Sequence, residues 1–510
     1  MSSVQIQDII SNKEGVEIEY KSAKGGFPMS FWETFSAFAN TDGGVIILGI
    51  KEKDGSFFPD GLTENQAVEL KKKFWDIAHN HQKISAITLN DNVAYETCLD
   101  TGDWLLIVDV PRAKFNHKPV FLNGTPFGNT FKRRHEGDYH CTDDEVRQMF
   151  SDANINNQSP DSRILNGYTI DDIDLKTLRL FRQNYDSRHV GHPWSSLNDI
   201  DFLKKIEAYR IERSTGKEGF TMAGMLMFGK TESITDQECL PWFFPDYKEH
   251  FSDGRWSDRL YPDGTWESNL YQFFSIVFVK MSRLLPKPFA MSGDGKTRLE
   301  YTSAHTALRE ALANACIHAS YTQMGTIVID CYFDKITICN QGNMLIPVKD
   351  FYCGHQSVCR NPILQKMFVV LGIGEKAGSG ADIILKGWKD NNWEQPEIKQ
   401  LEEPQRVELT LKMPLNQSLG TKQGLSRDQV ETKTGLSWYI IEKILTLTIQ
   451  PVSSLEIRNN MHFTNATKFK QRYLNPLISL QLIKMTDPNS PKSPNQRYVL
   501  TSLGKLFLEE

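Results

Sequence analysis

The sequence lacks the features that would tie it to a membrane or to a disulfide framework. Its eight cysteines include no C-x-x-C pair, which favours reduced, mostly buried thiols over a disulfide frame. No apolar run approaches the roughly 20 residues that cross a bilayer. The N-terminal segment has no basic start followed by an apolar stretch, so it does not resemble a signal peptide. We therefore expect a cytoplasmic protein with no membrane partner.

The sequence also lacks an excess of positive charge. It carries 58 Lys and Arg against 63 Asp and Glu, for a net charge of −5. This balance excludes a protein that coats nucleic acid uniformly, so any contact with phosphate must come from local basic patches. The net charge thus directs attention to short basic segments.

The length of 510 residues is too great for one hydrophobic core and predicts three or four domains. Changes in periodicity place them at residues 1–150, 167–300, 301–415 and 421–510. A polar, turn-rich segment at 152–166 is typical of a linker.

The first 150 residues alternate helix and strand patterns. Apolar residues at helical spacing predict helices over 30–40 and 66–77, and β-branched runs predict strands over 45–50 and 104–110. A Thr-Asp-Gly-Gly turn at 41–44 separates the first helix from its strand. We expect an α/β domain.

Carboxylates surround the first of these strands. In the segment EGVEIEYK, Glu17, Glu19 and Lys21 would share one face of a strand, with Glu14 upstream, and Glu52 follows the apolar strand. Carboxylates from separate elements can hold Mg²⁺ or Mn²⁺ beside a phosphate. They can equally line a solvated strand edge. The residues alone leave both interpretations open.

The string ETFSAFANTDGGVIILGIKEKDG, at 33–55, resembles the central signature of the Schlafen/AlbA-like family. The upstream E-x4-E-x-K pattern belongs to the same resemblance, which covers roughly residues 10–140. Schlafen-type RNases use three acidic residues in a metal-dependent site that cleaves structured RNA such as tRNA. At the matching positions, the resemblance implies Glu14, Glu19 and Glu52 as catalytic residues and metal ligands, with Lys21 as a further catalytic residue. Glu52 stands where those nucleases often have Asp, and Asp54 is its stand-in.

A basic run within the same domain, FKRRHEG, places Lys132, Arg133 and Arg134 in sequence after Phe131. Adjacent cations with an aromatic ring suit phosphate contact and stacking on an unpaired base. Such a run is also typical of a solvated strand edge. Within this family it predicts contact with nucleic acid, either DNA or structured RNA.

Residues 301–415 return to an α/β pattern, with a helix over 304–319 and strands over 325–333, 335–340 and 405–413. On the predicted helix, Glu310 and Asn314 are four residues apart and share one face. Such a pair can hold Mg²⁺ through the amide oxygen while the carboxylate activates a water. The spacing alone does not distinguish a nucleotide site from an ordinary helix face.

Three strings strengthen it: ALREALANACIHASY, the Asn-Gln-Gly at 340–342 and LGIGEKAGSGADII at 371–384 together resemble a divergent GHKL-type ATPase domain. The resemblance implies Asn314 as the Mg²⁺ ligand and Glu310 as the general base. It also implies ATP as ligand, bound by these further residues: Asn340, Gly342, Gly378, Ser379 and Gly380. Asn340 replaces the usual Asp that reads adenine, and an amide can still hydrogen-bond that base.

The last block predicts a helix-turn-helix followed by a wing. A turn at His462 to Thr464 separates two helical stretches, and Asn465 is a suitable cap for the second. Nucleic-acid contacts would come from basic residues on that helix and beside the wing: Lys468, Lys470, Arg472 and Arg497. A winged helix can also dock a protein, and the sequence leaves this alternative open.

The predicted fold class is therefore an α/β multidomain chain with a Schlafen/AlbA-like domain, a degenerate GHKL-like sandwich and a C-terminal winged helix. We expect a nucleotide-responsive nucleic-acid-binding regulator or sensor, with antiviral defence as one setting. The alternative is a metal-dependent RNA endonuclease that cleaves tRNA-like substrates. The expected cofactors are Mg²⁺ or Mn²⁺ and ATP, and the expected assembly is a homo-oligomer.

Overall fold

The computed structural model describes residues 17–85, 89–135, 137–155, 158–251, 256–285, 302–325, 327–354, 358–374, 379–414, 430–431, 434–488, 490, 493 and 495–509. It divides into two compact units, with residues up to 160 and 345–347 in the first and the remainder in the second. This division falls inside the predicted linker. The four finer domain limits stay predictions.

The first unit is an α/β domain, as predicted. Its elements are β1 (Ile18–Lys21), α1 (Phe31–Asn40), β2 (Gly44–Leu48), β3 (Ile50–Lys53), β4 (Ser56–Pro59), α2 (Glu64–Ala78), β5 (Ala94–Cys98), β6 (Trp104–Val110), β7 (Phe131–Arg134), β8 (Gly137–His140) and α3 (Asp143–Ala153). The central sheet has the order β1-β2-β6-β5, and β7 and β8 form a separate hairpin. β1 runs parallel to β2, while β6 is antiparallel to both of its neighbours.

The predicted strand over 45–50 needs a correction, because it is broken at Gly49. This residue has φ of +107°, a region that favours glycine. A Cβ there would lie 2.8 Å from Leu62 Cδ1, so a larger residue would also collide with the core. The chain turns at this point and enters the β3–β4 hairpin.

Helix α1 is stabilised because its apolar residues, at helical spacing, pack into an aromatic core. Phe31, Phe35 and Phe38 are fully buried on it, and Phe74 of α2 is equally buried. Trp32 stacks on Phe74 with an interplanar angle of 2°. Burying several aromatic rings supplies much of the hydrophobic stabilisation of so small a domain.

The second unit contains the remaining elements. They are α4 (Leu175–Arg188), α5 (Asp199–Lys205), β9 (Tyr209–Ile211), β10 (Glu218–Phe220), α6 (Met222–Phe228), α7 (Thr231–Ile234), β11 (Asp246–Glu249), β12 (Asp258–Leu260), α8 (Leu270–Ser282), α9 (Ser303–His318), β13 (Val328–Cys331), β14 (Lys335–Gln341), α10 (Val348–Cys353), α11 (Pro362–Val370), α12 (Ser379–Lys389), β15 (Glu397–Glu402), β16 (Gln405–Lys412), α13 (Trp438–Leu447), β17 (Val452–Ser453), α14 (Ser454–Asn460), α15 (Ala466–Phe469), α16 (Asn475–Ser479), β18 (Ile483–Met485), β19 (Arg497–Leu500) and α17 (Ser502–Glu509).

A six-stranded mixed sheet with the order β12-β11-β13-β14-β16-β15 organises this unit. Its buried aliphatic residues join one core with those of α8 and α9. Helix α9 confirms the prediction over 304–319, whereas the strand predicted over 325–333 is shorter. Small residues allow α9 and α12 to approach closely, since a Cβ on Gly387 would lie 2.4 Å from Ala307 Cβ.

The described residues at the two ends of the predicted linker, 152–155 and 158–166, belong to the folded units. Helix α3 continues to Ala153, and Asp161 is completely buried. Its carboxylate accepts hydrogen bonds from the backbone N–H groups of Ile363 and Leu364 at 2.9 and 3.0 Å. An acidic side chain here satisfies and stabilises the N-terminus of α11.

In the C-terminal part, the short strands form a sheet with the order β17-β19-β18. Residues Lys470–Leu474 make a π-helical turn between α15 and α16. Pro476 accounts for it, because proline has no N–H for the carbonyl of Arg472 and its ring crowds that carbonyl. In the described part of the chain, no helix is long and apolar enough to cross a membrane.

Candidate nucleic-acid and nucleotide sites

Strand β1 places Glu19 and Lys21 on one face, as predicted. Lys21 Nζ lies 2.9 Å from Glu19 Oε1, and Arg133 Nη2 lies 2.8 Å from Glu19 Oε2. Both carboxylate oxygens are therefore bound by cations. Glu14, the partner predicted for this site, lies outside the described residues.

Arg133 needs a correction as a phosphate contact. Its side chain is 1% exposed and also binds Asp138 Oδ1 at 2.9 Å. The guanidinium carbon lies 5.1 Å from the centre of the Phe38 ring. Arg133 thus joins β1, α1 and the β7–β8 hairpin from within the domain, where nucleic acid cannot reach it.

Glu52 is exposed on β3, where it pairs across the hairpin with Phe57. Asp54 occupies the hairpin turn with φ of +52°. Among the described residues, no group of three or more His, Cys, Asp or Glu side chains is arranged to hold a metal ion. These residues alone do not form the predicted metal site, and the set that includes Glu14 stays a prediction.

The basic run lies on β7, where its side chains alternate between two faces. Phe131 is 6% exposed and packs on His140 with ring centres 4.4 Å apart. The prediction that Phe131 stacks on a base is therefore wrong. Lys132 and Arg134 are half-buried on the opposite face, and Lys132 forms an ion pair with Glu145.

The Asn of the Ala-Phe-Ala-Asn string has a structural role. Asn40 Oδ1 accepts from Val120 N at 2.8 Å, and its Nδ2 donates to the carbonyls of Val120 and Phe131 at 2.8 and 2.9 Å. Lys118 donates to the Asn40 carbonyl at the end of α1. Burial of that amine lowers the pKa of Lys118 to about 7. The motif thus fixes α1 to the segments that precede the basic hairpin.

The structure brings together the central residues of the predicted nucleotide site. A Cβ on Gly380, at the start of α12, would lie 2.8 Å from Glu310 Oε1 and 2.9 Å from Asn314 Nδ2. Glu310 is 5% exposed, and its Oε2 accepts from Gly374 N at 3.1 Å. Gly378 lies outside the described residues, and only the backbone of Ser379 is described.

The other predicted nucleotide contacts occupy a packed region. Asn340 is 8% exposed on β14. Gly342 has φ of +96°, and a Cβ there would lie 2.8 Å from both Arg360 Nη1 and Ser320 Cβ. Arg360 is buried and donates to the carbonyls of His318 and Asn343, each at 2.8 Å. It secures the end of α9.

A P-loop pattern, G-x4-GK[ST], runs from Gly224 to Thr231 and was missed in the sequence analysis. A working P-loop needs a loop whose N–H groups face phosphate. Here Met222–Phe228 is a buried helix, and Glu267 Oε2 accepts from Thr231 N and Oγ1 at 2.6 and 2.9 Å. The tertiary structure therefore excludes a phosphate cradle at this pattern.

Of the predicted C-terminal basic residues, Lys468 lies on α15, while Lys470 and Arg472 lie in the π-helical turn that follows it. Asn465 caps α15 as predicted, since its Oδ1 accepts from Lys468 N at 3.0 Å. Lys468 and Arg472 are exposed, whereas Lys470 is half-buried. Five basic residues and no acidic residue occur between Glu456 and Asp487. Arg497, at the start of β19, is exposed and donates to the Pro451 carbonyl at 3.2 Å.

Two family models match the two regions for which the sequence motifs predicted a Schlafen/AlbA-like domain and an ATPase-like domain. Residues 14–142 match the family described as Schlafen, AlbA_2, and residues 325–411 match "Putative ATP-dependent DNA helicase recG C-terminal". The chain therefore contains one region similar to the Schlafen AlbA_2 family and one similar to the C-terminal, ATPase-like part of that helicase.

Two further regions match models. Residues 147–246 match a domain of unknown function, and residues 441–501 match the C-terminal domain of the Fic-like proteins named for filamentation induced by cAMP. No curated protein matches the chain. A crystal structure of the DIP2311 protein from Corynebacterium diphtheriae is similar at 16% identity and a TM-score of 0.39, over 97% of this chain and 94% of that one.

Proposed function

We propose that this chain is a nucleotide-responsive nucleic-acid-binding protein. In this proposal the six-stranded sheet and its helices are a degenerate GHKL-like sandwich, and the C-terminal region is a winged helix. The observation that carries the proposal is the basic stretch of the C-terminal region formed by α15 and the π-helical turn after it. It exposes Lys468 and Arg472 within 30 residues that contain no acidic side chain.

Such a surface suits nucleic acid because phosphates repel carboxylates and attract uniformly basic faces. The turn between α14 and α15 is held in place, since Arg458 Nη1 donates to the Thr464 carbonyl at 3.3 Å. A fixed turn gives the second helix a defined orientation for entering a groove. The names of the matched families, Schlafen AlbA_2 and recG, also support an association with nucleic acid.

The test is the salt dependence of duplex binding by the full chain. Each phosphate contact contributes about 0.9 to the slope of log K against log salt concentration. Replacing both Lys468 and Arg472 by Ala should weaken binding and lower that slope by about 1.8. Lys443→Ala, on α13, is the matched control and should leave the slope unchanged. An unaltered slope in the double variant would indicate a protein-docking winged helix.

The nucleotide part of the proposal rests on Glu310, Asn314 and Gly380. A side chain in place of Gly380 would displace Glu310 and Asn314, because its Cβ would lie within 3 Å of the ends of both side chains. That narrow cradle fits a nucleotide site: Asn314 would hold Mg²⁺ and the first N–H groups of α12 would bind phosphate. Bound Mg²⁺ would supply positive charge that offsets the phosphates. In this proposal Glu310 would accept a proton there.

Thermal unfolding tests this part. A ligand at 100 times its Kd stabilises the folded state by about 2.7 kcal/mol, so ATP with Mg²⁺ should raise the Tm. Asn314→Ala should abolish the shift, whereas Asn391→Ala, near the other end of α12, should retain it. If ATP and GTP both leave the Tm of the unchanged protein unaltered, the nucleotide part fails and duplex binding still stands.

A further inference from the structure

The β7–β8 hairpin has two faces of different character. Residues directly opposite each other in an antiparallel pair share a face. In one set of pairs, Phe131 contacts His140 and Arg133 contacts Asp138. Arg133 and Asp138 also contact side chains of α1, namely Phe38 and Thr34, so this face turns toward α1. The alternate pairs therefore share the outer face: Lys132 with Tyr139, and Arg134 with Gly137.

Tyr139 is the distinctive residue of that outer face. Its side chain is 54% exposed, the largest exposed fraction of any aromatic residue in the described part of the first unit. A Cβ on Gly137 would lie 2.7 Å from Tyr139 Cε2 and 3.1 Å from its Cζ. The Tyr139 ring therefore lies over Gly137. It can occupy this position because glycine has no side chain.

We propose that Tyr139 stacks on an unpaired base of single-stranded nucleic acid, while Lys132 and Arg134 contact the flanking phosphates. This inference deepens the proposed function and rests on it. The exposed ring lies beside the half-buried Arg134 and beside Lys132, whose side chain is 15% exposed and paired with Glu145. A ring with adjacent cations has the two components by which proteins bind single strands. Bases within a duplex are already stacked on one another, so this surface favours unpaired strands.

The neighbouring contacts fix this surface in place. Lys132 pairs with Glu145, which also closes the capping box of α3 by accepting from Thr142 N at 2.8 Å. On the inner face, Arg133 N donates to Thr41 Oγ1 at 2.9 Å and so ties β7 to the end of α1. A platform held from both sides loses little conformational freedom on binding.

The experiment measures fluorescence anisotropy of labelled 12-nucleotide single strands, oligo(U) and oligo(dT), with the full chain. Lys468→Ala and Arg472→Ala are present throughout to remove the C-terminal contribution. One stacked base corresponds to a loss of about 5- to 150-fold in affinity, which is expected for Tyr139→Ala. Tyr139→Phe should retain binding, since it keeps the ring. Tyr95→Ala removes another exposed tyrosine, on β5, and should change nothing.

Salt dependence separates stacking from charge. Tyr139→Ala should leave the salt slope unchanged, whereas Lys132→Ala with Arg134→Ala should lower it. If Tyr139→Ala binds as tightly as the parent while the charge variant binds more weakly, stacking is overturned and nucleic-acid binding by this domain stands. If neither variant changes affinity, nucleic-acid binding by this hairpin fails as well.

Discussion

Replacement of Asn40 by Ala should destabilise the N-terminal domain more than any loss of side-chain volume would suggest. Asn40 is 7% exposed and makes three hydrogen bonds of 2.8–2.9 Å to the backbone of Val120 and Phe131. The Val120 carbonyl would keep a partner, because Ser36 Oγ donates to it at 2.7 Å. The Val120 N–H and the Phe131 carbonyl would lose their bonds to this side chain.

A buried polar group left without a partner costs about 1–3 kcal/mol, so the two groups together should cost about 2–6 kcal/mol in local stability. Hydrogen–deuterium exchange of the full chain measures this locally. Peptides from α1 and β7 should exchange about 30- to 20,000-fold faster, since about 1.4 kcal/mol corresponds to a factor of ten. Peptides from the six-stranded sheet should be unaffected.

Asn129→Ala is the matched control, because that exposed amide donates only to Thr125 Oγ1 at 3.0 Å. It should alter exchange little, as surface substitutions usually do. Exchange rates in α1 and β7 that are the same for Asn40→Ala and for the unchanged protein would refute the structural role of this asparagine.

Two further predictions concern titration and catalysis. Burial, with Arg360 nearby, lowers the pKa of His318 to about 4, from 6.5. As the pH falls, the unfolded chain therefore binds the proton before the folded chain does. The contribution of neutral His318 to the free energy of unfolding should be complete above pH 6.5 and should be lost as the pH drops toward 4. His318→Gln should flatten the dependence of Tm on pH over this window, and an identical profile would contradict the assignment. For the endonuclease alternative, cleavage of tRNA-like RNA should require Mn²⁺ or Mg²⁺ and be lost in Glu19→Gln. Cleavage that survives this change would eliminate that site.

Much of the local structure could be predicted from sequence. The helix that carries Glu310 and Asn314, the strand over 104–110 and the Asn465 cap follow from periodicity and from cap chemistry, which act over a few residues. The spacing of Glu310 and Asn314 also placed them on one face. Their approach to Gly380 was implied only by the resemblance to an ATPase domain.

Solvent exposure within the basic run could not be predicted from sequence. The three consecutive cations look equivalent in the sequence, yet Arg133 is buried between Glu19 and Asp138. Phe131 looked like the stacking residue, whereas Tyr139 has the exposed ring. The sequence determines only that successive side chains of a strand point to opposite faces. Which face becomes internal depends on α1 packing against one side of the hairpin.

The P-loop pattern also shows that local sequence predicts some features while tertiary contacts determine others. By itself, the sequence determined the helical and strand periods, the charge balance and the spacing of the motifs, since all of these are local properties of the chain. It also offered a glycine-rich match from Gly224 to Thr231 that local chemistry could not reject. The tertiary structure buries Met222–Phe228 as a helix and brings Glu267 onto the N–H and hydroxyl of Thr231, and both contacts depend on residues distant in sequence.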